Sequence, residues 1–194
     1  VAKAETFKQT KELQDLVFKI PESGMNYLRK YRVTDEDVEI FKIGWSNAFQ
    51  RVVFPYYNPN NIYEFSWMRS LRDDQKPKWL FNGNKYYGSY WFWHNVEERT
   101  YPLIITEDVI SAIRCFEFGD ILALGGTHFE KEDVSRIILE YKDIILWLDG
   151  DKAGREVAKK FCKKWSPWRN VKNIKTKADP KTYSQQQIQE ILNL

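Results

Sequence analysis

The sequence predicts an α/β protein. A parallel-rich sheet with helices on both faces, residues 101–194, follows a smaller α+β basic subdomain, residues 1–100. Three observations predict it. After Thr100, short apolar runs alternate with amphipathic stretches, the pattern of strand–helix units in a covered parallel sheet. Before Thr100, β-branched and aromatic runs are broken by Asn, Pro and Gly, the punctuation of a small antiparallel sheet. The chain has 194 residues, 43% of them hydrophobic, enough to bury one sizeable core or two small ones.

Composition excludes several classes. Nine Gly and seven Pro are too few for a repeat or linker protein, and 16% aromatics supply packing and stacking surface. The apolar run Ile144–Leu148 falls well short of the roughly 20 residues of a membrane helix. The polar start Val1-Ala2-Lys3-Ala4-Glu5 lacks the apolar stretch of a secretion signal, so the cytoplasm is the expected location. Two cysteines, Cys115 and Cys162, are too few for a disulfide framework or a four-cysteine zinc site, and buried thiols are expected. The net charge of +3 conceals segregation: residues 107–151 hold 11 acids against 4 bases, and residues 152–181 hold 11 bases against 2 acids. Such segregation suits a site that holds metal cations beside a polyanion.

Taken in order, the first 20 residues read as a helix ending near Pro21. Asn26–Tyr31 suggests a short helix, and Thr34 with Asp37 three residues on, an acidic variant of the capping box, marks the start of another. Arg51-Val52-Val53-Phe54-Pro55, the turn Asn58-Pro59-Asn60-Asn61 and Ile62–Trp67 predict the antiparallel sheet. Its cations, Arg51, Arg69, Arg72, Lys76, Lys78 and Lys85, are interleaved with Trp67, Trp79, Tyr86 and Tyr87. Two readings stand: a groove that follows a nucleic-acid backbone and stacks bases, or a sheet core with cations solvating its outer face. Beyond residue 100 the expected strands are Leu103–Thr106, Ile121–Leu124, Ile144–Leu148 and Val171–Ile174, with helices over 108–118, 131–141, the stretch after Asp151, and from Ser184.

In an open parallel sheet, ligands collect beyond the carboxyl ends of the strands. Glu107 follows the first of these strands, and Asp149 and Asp151 follow the third, with Gly150 between them. Carboxylates gathered within about 6 Å repel by roughly a kcal/mol or more, so the group is comfortable with a cation among them. Magnesium suits it, since that ion takes one or two carboxylates and completes its shell with water and phosphate oxygens. A solvated Asp-Gly-Asp turn that caps the next helix is the competing reading. His94 and His128 lack spaced partners and support neither a zinc site nor a catalytic triad. Gly125-Gly126-Thr127 reads either as a phosphate-approaching loop or as a tight strand-to-helix turn.

The run Leu146-Trp147-Leu148-Asp149-Gly150-Asp151-Lys152-Ala153-Gly154-Arg155, with Glu107 upstream at a strand end, resembles the Toprim domain of bacterial-type primases, topoisomerases, recombination mediators and small nucleases. Arg51–Pro55, Arg69, Pro77-Lys78-Trp79-Leu80 and Asn82 resemble the basic subdomain that precedes Toprim in bacterial and phage primases, and Asp179-Pro180-Lys181 resembles the segment that follows it there. The resemblance spans most of the chain from Tyr27 and implies the RNA-polymerase core of a phage-type DNA primase, without zinc-binding or helicase domain. It implies that Glu107, Asp149 and Asp151 bind catalytic Mg²⁺ or Mn²⁺ and that Asp179 supports a second metal, a capping or turn role being the alternative there. It places Arg51, Arg69, Lys78 and Lys85 against single-stranded DNA template and ribonucleoside triphosphates, while the lysines after Asp151, Lys152 first, read either as solvent-facing or, beside a metal site, as nucleic-acid contacts.

The chain departs from the family where an Asp expected one helical turn after the first glutamate is Ser111, while an extra acid stands at Asp108. It carries neither a cysteine cluster nor a Gly-x-x-x-x-Gly-Lys-Ser/Thr loop, so either a stand-alone core or a fragment of a longer polypeptide is expected, with template selection and strand opening supplied by a replicative helicase or other replisome protein. The expected activity is templated primer synthesis by metal-dependent nucleotidyl transfer during DNA replication, in the host cytoplasm if the chain is phage-encoded. The alternatives are a Toprim-type nuclease and a non-catalytic single-stranded DNA-binding accessory.

Overall fold

A computed structural model describes residues 16–58, 60–83, 90–94, 101–126 and 129–193. They fall into two units, one within Val1–Tyr27 and Asp35–Tyr87, the other within Leu28–Thr34 and Gly88–Leu194. Among the described residues no helix is long and apolar enough to cross a membrane. Cys115 and Cys162 are both free, the first buried and the second half-buried.

The first unit is an antiparallel sheet whose strands lie in chain order: β1 (Leu16–Val17), β2 (Gly44–Ser46), β3 (Arg51–Tyr57), β4 (Tyr63–Ser70) and β5 (Trp79–Gly83). Helices α1 (Glu22–Lys30) and α2 (Asp35–Ile40) stand between β1 and β2 in the chain. The helix expected over the first 20 residues falls partly outside the described residues, and its described end is a strand. Leu16 and Val17 pair with Ser46 and Trp45, and Gly44 lets Leu16 lie so close that a Cβ there would overlap its side chain. Pro21 opens a helix rather than closing one. Its carbonyl accepts from Gly24 N and Met25 N at 2.8 and 3.1 Å, a position that suits a residue with no amide hydrogen to lose. The β3–β4 hairpin turns where Asn58 and its neighbours predict, with Asn58 Oδ1 accepting from the amides of Asn60 and Ile62. Val52, Val53, Phe54, Phe65, Trp67 and Met68 are buried, so most of the aromatics here form core.

The second unit contains β6 (Trp91–Trp93), β7 (Leu103–Thr106), α3 (Val109–Cys115) continued by a 3₁₀ turn at Phe116–Phe118, β8 (Asp120–Ala123), α4 (Glu132–Leu139), β9 (Asp143–Leu146), α5 (Lys152–Trp165), β10 (Asn170–Asn173), a 3₁₀ turn at Pro180–Thr182, and α6 (Gln185–Leu192). The sheet order is β10-β9-β7-β8-β6. Its first four strands are parallel and β6 runs antiparallel to β8. Trp91–Trp93, which a boundary near residue 100 leaves with the first half of the chain, is therefore hydrogen bonded into the second sheet. On one face Leu103, Ile105, Leu122 and Leu146 pack with Val134 and Ile138 of α4 and Phe161 and Trp165 of α5. The alternate residues Ile104, Ile121 and Ile145 point the other way by the two-residue period of a strand, and all are buried. Each such buried aliphatic or aromatic side chain stabilises the fold by roughly 1.5–3 kcal/mol.

This strand order decides where a ligand can sit. From β7 the chain moves to β8 on one side and then to β9 on the other, so the crossover connections part between β7 and β9. A crevice opens at such a point beyond the carboxyl ends of the strands. Thr106 ends β7 and Leu146 ends β9, which sets Glu107 and the Asp149–Asp151 turn at that crevice.

Candidate metal and catalytic site

Each acid is fixed by its local backbone. β7 delivers Glu107, whose carbonyl accepts from Gly125 N at 2.9 Å and so ties the loop after β8 to this edge. Gly125 and Gly126 take φ of +68° and +131°, values that glycine reaches without strain, and they form a turn; Thr127 and His128 lie outside the described residues. Asp108 is the N-cap of α3: Oδ1 accepts from the amides of Ile110 and Ser111 at 3.0 and 3.1 Å, and Oδ2 from the Ser111 hydroxyl at 2.8 Å. The two departures noted in the sequence, Asp108 and Ser111, are thus one hydrogen-bonded unit.

β9 delivers Asp149 through Trp147, whose indole Nε1 donates to Thr176 Oγ1 at 2.7 Å and whose ring stacks at a tilt on Tyr183, 5.7 Å between centroids. Both contacts draw the 174–183 segment to the end of the strand. Gly150 passes so close to the Thr176 carbonyl that a Cβ would overlap it, and the Arg155 guanidinium donates to the Gly150 carbonyl. Asp151 is the N-cap of α5 and accepts from Gly154 N at 2.7 Å, so the capping role foreseen for this turn is present. Gly154 in turn lies against the Asp149 backbone with no room for a side chain. Lys152 is exposed on the first turn of α5. Asp179 precedes the 3₁₀ turn at Pro180–Thr182, and its carbonyl accepts from Thr182 N and Thr182 Oγ1.

Electrostatics shows that these carboxylates share one neighbourhood. Burial raises the Glu107 carboxyl above its ordinary value, and Asp151, Asp108 and Asp179 raise it further. Burial pushes Asp149 up to about 7, with added repulsion from Asp179, Glu107 and Asp108. Asp149 Oδ1 is buried without a hydrogen-bond partner. Lys181 opposes the repulsion, with Nζ 2.9 Å from Asp108 Oδ2 and 3.0 Å from Asp179 Oδ2. Burial would lower the Lys181 ammonium, but the two carboxylates outweigh it and hold it above its ordinary value.

Among the described residues no three His, Cys, Asp or Glu side chains form a ready-made metal cage. The donor set nevertheless fits a hard divalent cation. An orphaned carboxylate oxygen and two acids raised by burial and by the charges of neighbouring acids are what such an ion relieves, and Mg²⁺ needs only one or two protein carboxylates.

The basic residues of the first unit are placed by the β3–β4–β5 register, in which Arg51 pairs with Ser70 and Arg69 with Trp79. Arg69 is half-buried over the Trp79 and Tyr27 rings, 5.3 and 5.9 Å from their centroids. Lys78 is half-buried and paired with Asp73 at 2.5 Å. Arg51 is only 1% exposed and donates to the carbonyls of Lys78 and Pro77 at 3.0 and 2.8 Å, a structural position without open surface for a phosphate. Lys85 lies outside the described residues. Sequence reasoning missed the role of Lys181, whose partner Asp108 is 73 positions away. His94 stands at the opposite end of the sheet, 3.2 Å from Asp120 at the start of β8.

Residues 105–184 match the Toprim-like family. No curated protein sequence matches the chain at a significant level. Among solved structures, it superposes on the zinc-binding and RNA polymerase domains of Aquifex aeolicus primase with a TM-score of 0.71 at 15% identity, covering 89% of this chain and 56% of that one. It superposes on the DnaG primase catalytic domain bound to single-stranded DNA with a TM-score of 0.71 at 18% identity, covering 89% and 71%. For the primase fragment of the bacteriophage T7 primase-helicase protein the TM-score is 0.59 at 16% identity, covering 81% and 68%. The chain thus spans little more than half of the Aquifex primase chain.

These findings define residues 105–184 as similar to the Toprim-like family within an α/β fold. Over most of its length this chain has the fold of the primase catalytic cores it superposes on.

Proposed function

We propose that this chain is the catalytic core of a DNA primase that joins ribonucleotides on a single-stranded DNA template during replication. The observation that carries the reading is the set of repelling acids, Glu107, Asp149 and Asp151, at the switch point of a Toprim-like sheet. In the reaction a 3′-hydroxyl attacks the α-phosphate of the incoming nucleotide and pyrophosphate leaves. Glu107, Asp149 and Asp151 would hold Mg²⁺ or Mn²⁺, which supplies charge neutralisation on the triphosphate and acidifies the attacking hydroxyl. Asp151 orients the start of α5 while facing solvent, so its free oxygen remains open to a ligand. Gly150 and Gly154 permit the close backbone approach that fixes Asp149. Arg69, Lys78, Lys85 and Lys152 would bind template and nucleotide phosphates without reading bases, so affinity falls steeply with salt.

The test incubates the protein with single-stranded DNA, labelled ribonucleotides and Mg²⁺ or Mn²⁺. Short RNA products that Asp149→Ala abolishes, with DNA affinity retained, support the reading. Shortened DNA identifies a nuclease, a mobility shift without chemistry identifies a binding accessory, and equal synthesis by wild type and Asp149→Ala refutes the assignment of the site.

A further inference from the structure

Lys181 sits among the carboxylates, and the reaction above gives it no part. Its ammonium contacts Asp108 Oδ2 at 2.9 Å and Asp179 Oδ2 at 3.0 Å, with the three side chains 18, 14 and 32% exposed. The Tyr31 ring lies 5.9 Å from Nζ on another side. The remaining capacity of Asp108 is taken up by Ile110 N, Ser111 N and the Ser111 hydroxyl, so that carboxylate is held in place from its own helix. An ammonium this far from water is costly unless paired, and here both of its partners are anions of the same cluster. A divalent ion can take the Asp108–Asp179 end only by expelling Lys181 and leaving that charge half-buried and unpaired.

We propose that Lys181 is a tethered cation that permanently occupies the Asp108–Asp179 end of the cluster, so that the chain binds divalent metal only at the Glu107–Asp149–Asp151 end. The proposal rests on the metal-binding reading above and refines it: Asp179 is an anchor for Lys181 rather than a metal ligand. Lys181 also offsets part of the repulsion on Glu107 and Asp149, and so acts on the site through other residues as a positioning group.

The test counts bound Mn²⁺ by electron paramagnetic resonance during titration of the full chain, without substrate. Wild type and Lys181→Arg should each bind one ion, Lys181→Met two, and the Lys181→Met/Asp179→Asn double variant one again. Circular dichroism at matched metal confirms folding, and if Lys181→Met folds poorly, Lys181→Gln is read in the same way. Two ions in wild type, or one ion in folded Lys181→Met and Lys181→Gln alike, overturns the proposal. No bound ion in wild type refutes instead the metal-binding reading beneath it. A purely structural role for Lys181 would lower stability in the variants without adding a site.

Discussion

Asp149 makes the metal-free protein pay for its own active site, and Asp149→Asn should expose the cost. The carboxyl is raised from 3.8 to about 7, first by burial and then by Asp179, Glu107 and Asp108. At about 1.4 kcal/mol per unit, the full shift corresponds to ~4 kcal/mol of folding free energy once the group is ionised, and screening of this partly buried group brings the expected effect to ~2 kcal/mol. The sign follows from proton binding. Between about pH 4 and 7 the folded state holds a proton that the unfolded state has released, so stability is greatest below the unfolded value and falls as pH rises through the folded one. Glu107, shifted the same way, steepens the fall. Urea unfolding in chelator at pH 5 and pH 8 measures it: wild type should lose stability across the interval, while Asp149→Asn should lose less and exceed wild type at pH 8 by ~2 kcal/mol. Adding Mg²⁺ at pH 8 should restore wild type more than the variant, because the ion relieves the repulsion that asparagine no longer has. Parallel pH curves with equal stability at pH 8 would refute the reasoning.

Gly154→Ala runs against the usual helix preference, in which alanine gains ~1 kcal/mol over glycine, because the new Cβ overlaps the Asp149 carbonyl. It should destabilise the protein by ~2 kcal/mol and abolish synthesis, checked by urea unfolding and primer assay. Arg51→Ala and Arg69→Ala should separate support from contact. Arg51→Ala strips two carbonyls of a buried donor and should cost ~2–4 kcal/mol of stability, whereas Arg69→Ala should cost ~1 kcal/mol in lost ring contacts. In filter binding, Arg69→Ala should also weaken single-stranded DNA affinity and flatten its salt dependence.

Most of the second unit was legible because its elements obey simple periods. Leu103–Thr106 is a strand over the expected residues, β8, β9 and β10 start one residue earlier than expected, and Ser184 caps α6 with the reciprocal bonds of a capping box. Leu16–Val17 is a strand where the sequence predicts helix, because its sparse apolar residues fit either period and the deciding contact, against Gly44, is non-local. Trp91–Trp93 is ambiguous for a similar reason: an aromatic run looks the same whether it extends one sheet or edges another, and its pairing with β8 is non-local.

The site was legible in part because its acids follow strands, and parallel strands carry whatever follows them to one edge of the sheet. Glu107 and Asp149 needed no side-chain contact to be brought together; the sheet order alone does it. Lys181 was not legible because the Asp179-Pro180-Lys181 resemblance gives the lysine itself no role, and its partner Asp108 lies 73 positions away. It reaches Asp108 because Trp147 and Gly150 hold the 174–183 segment against the end of β9, the indole by a hydrogen bond to Thr176 and the glycine by leaving room for the Thr176 carbonyl. A substitution at Trp147 or Gly150 therefore acts at both ends of the acid cluster: it frees the end of the strand that carries Asp149 and withdraws the cation that opposes Asp108 and Asp179.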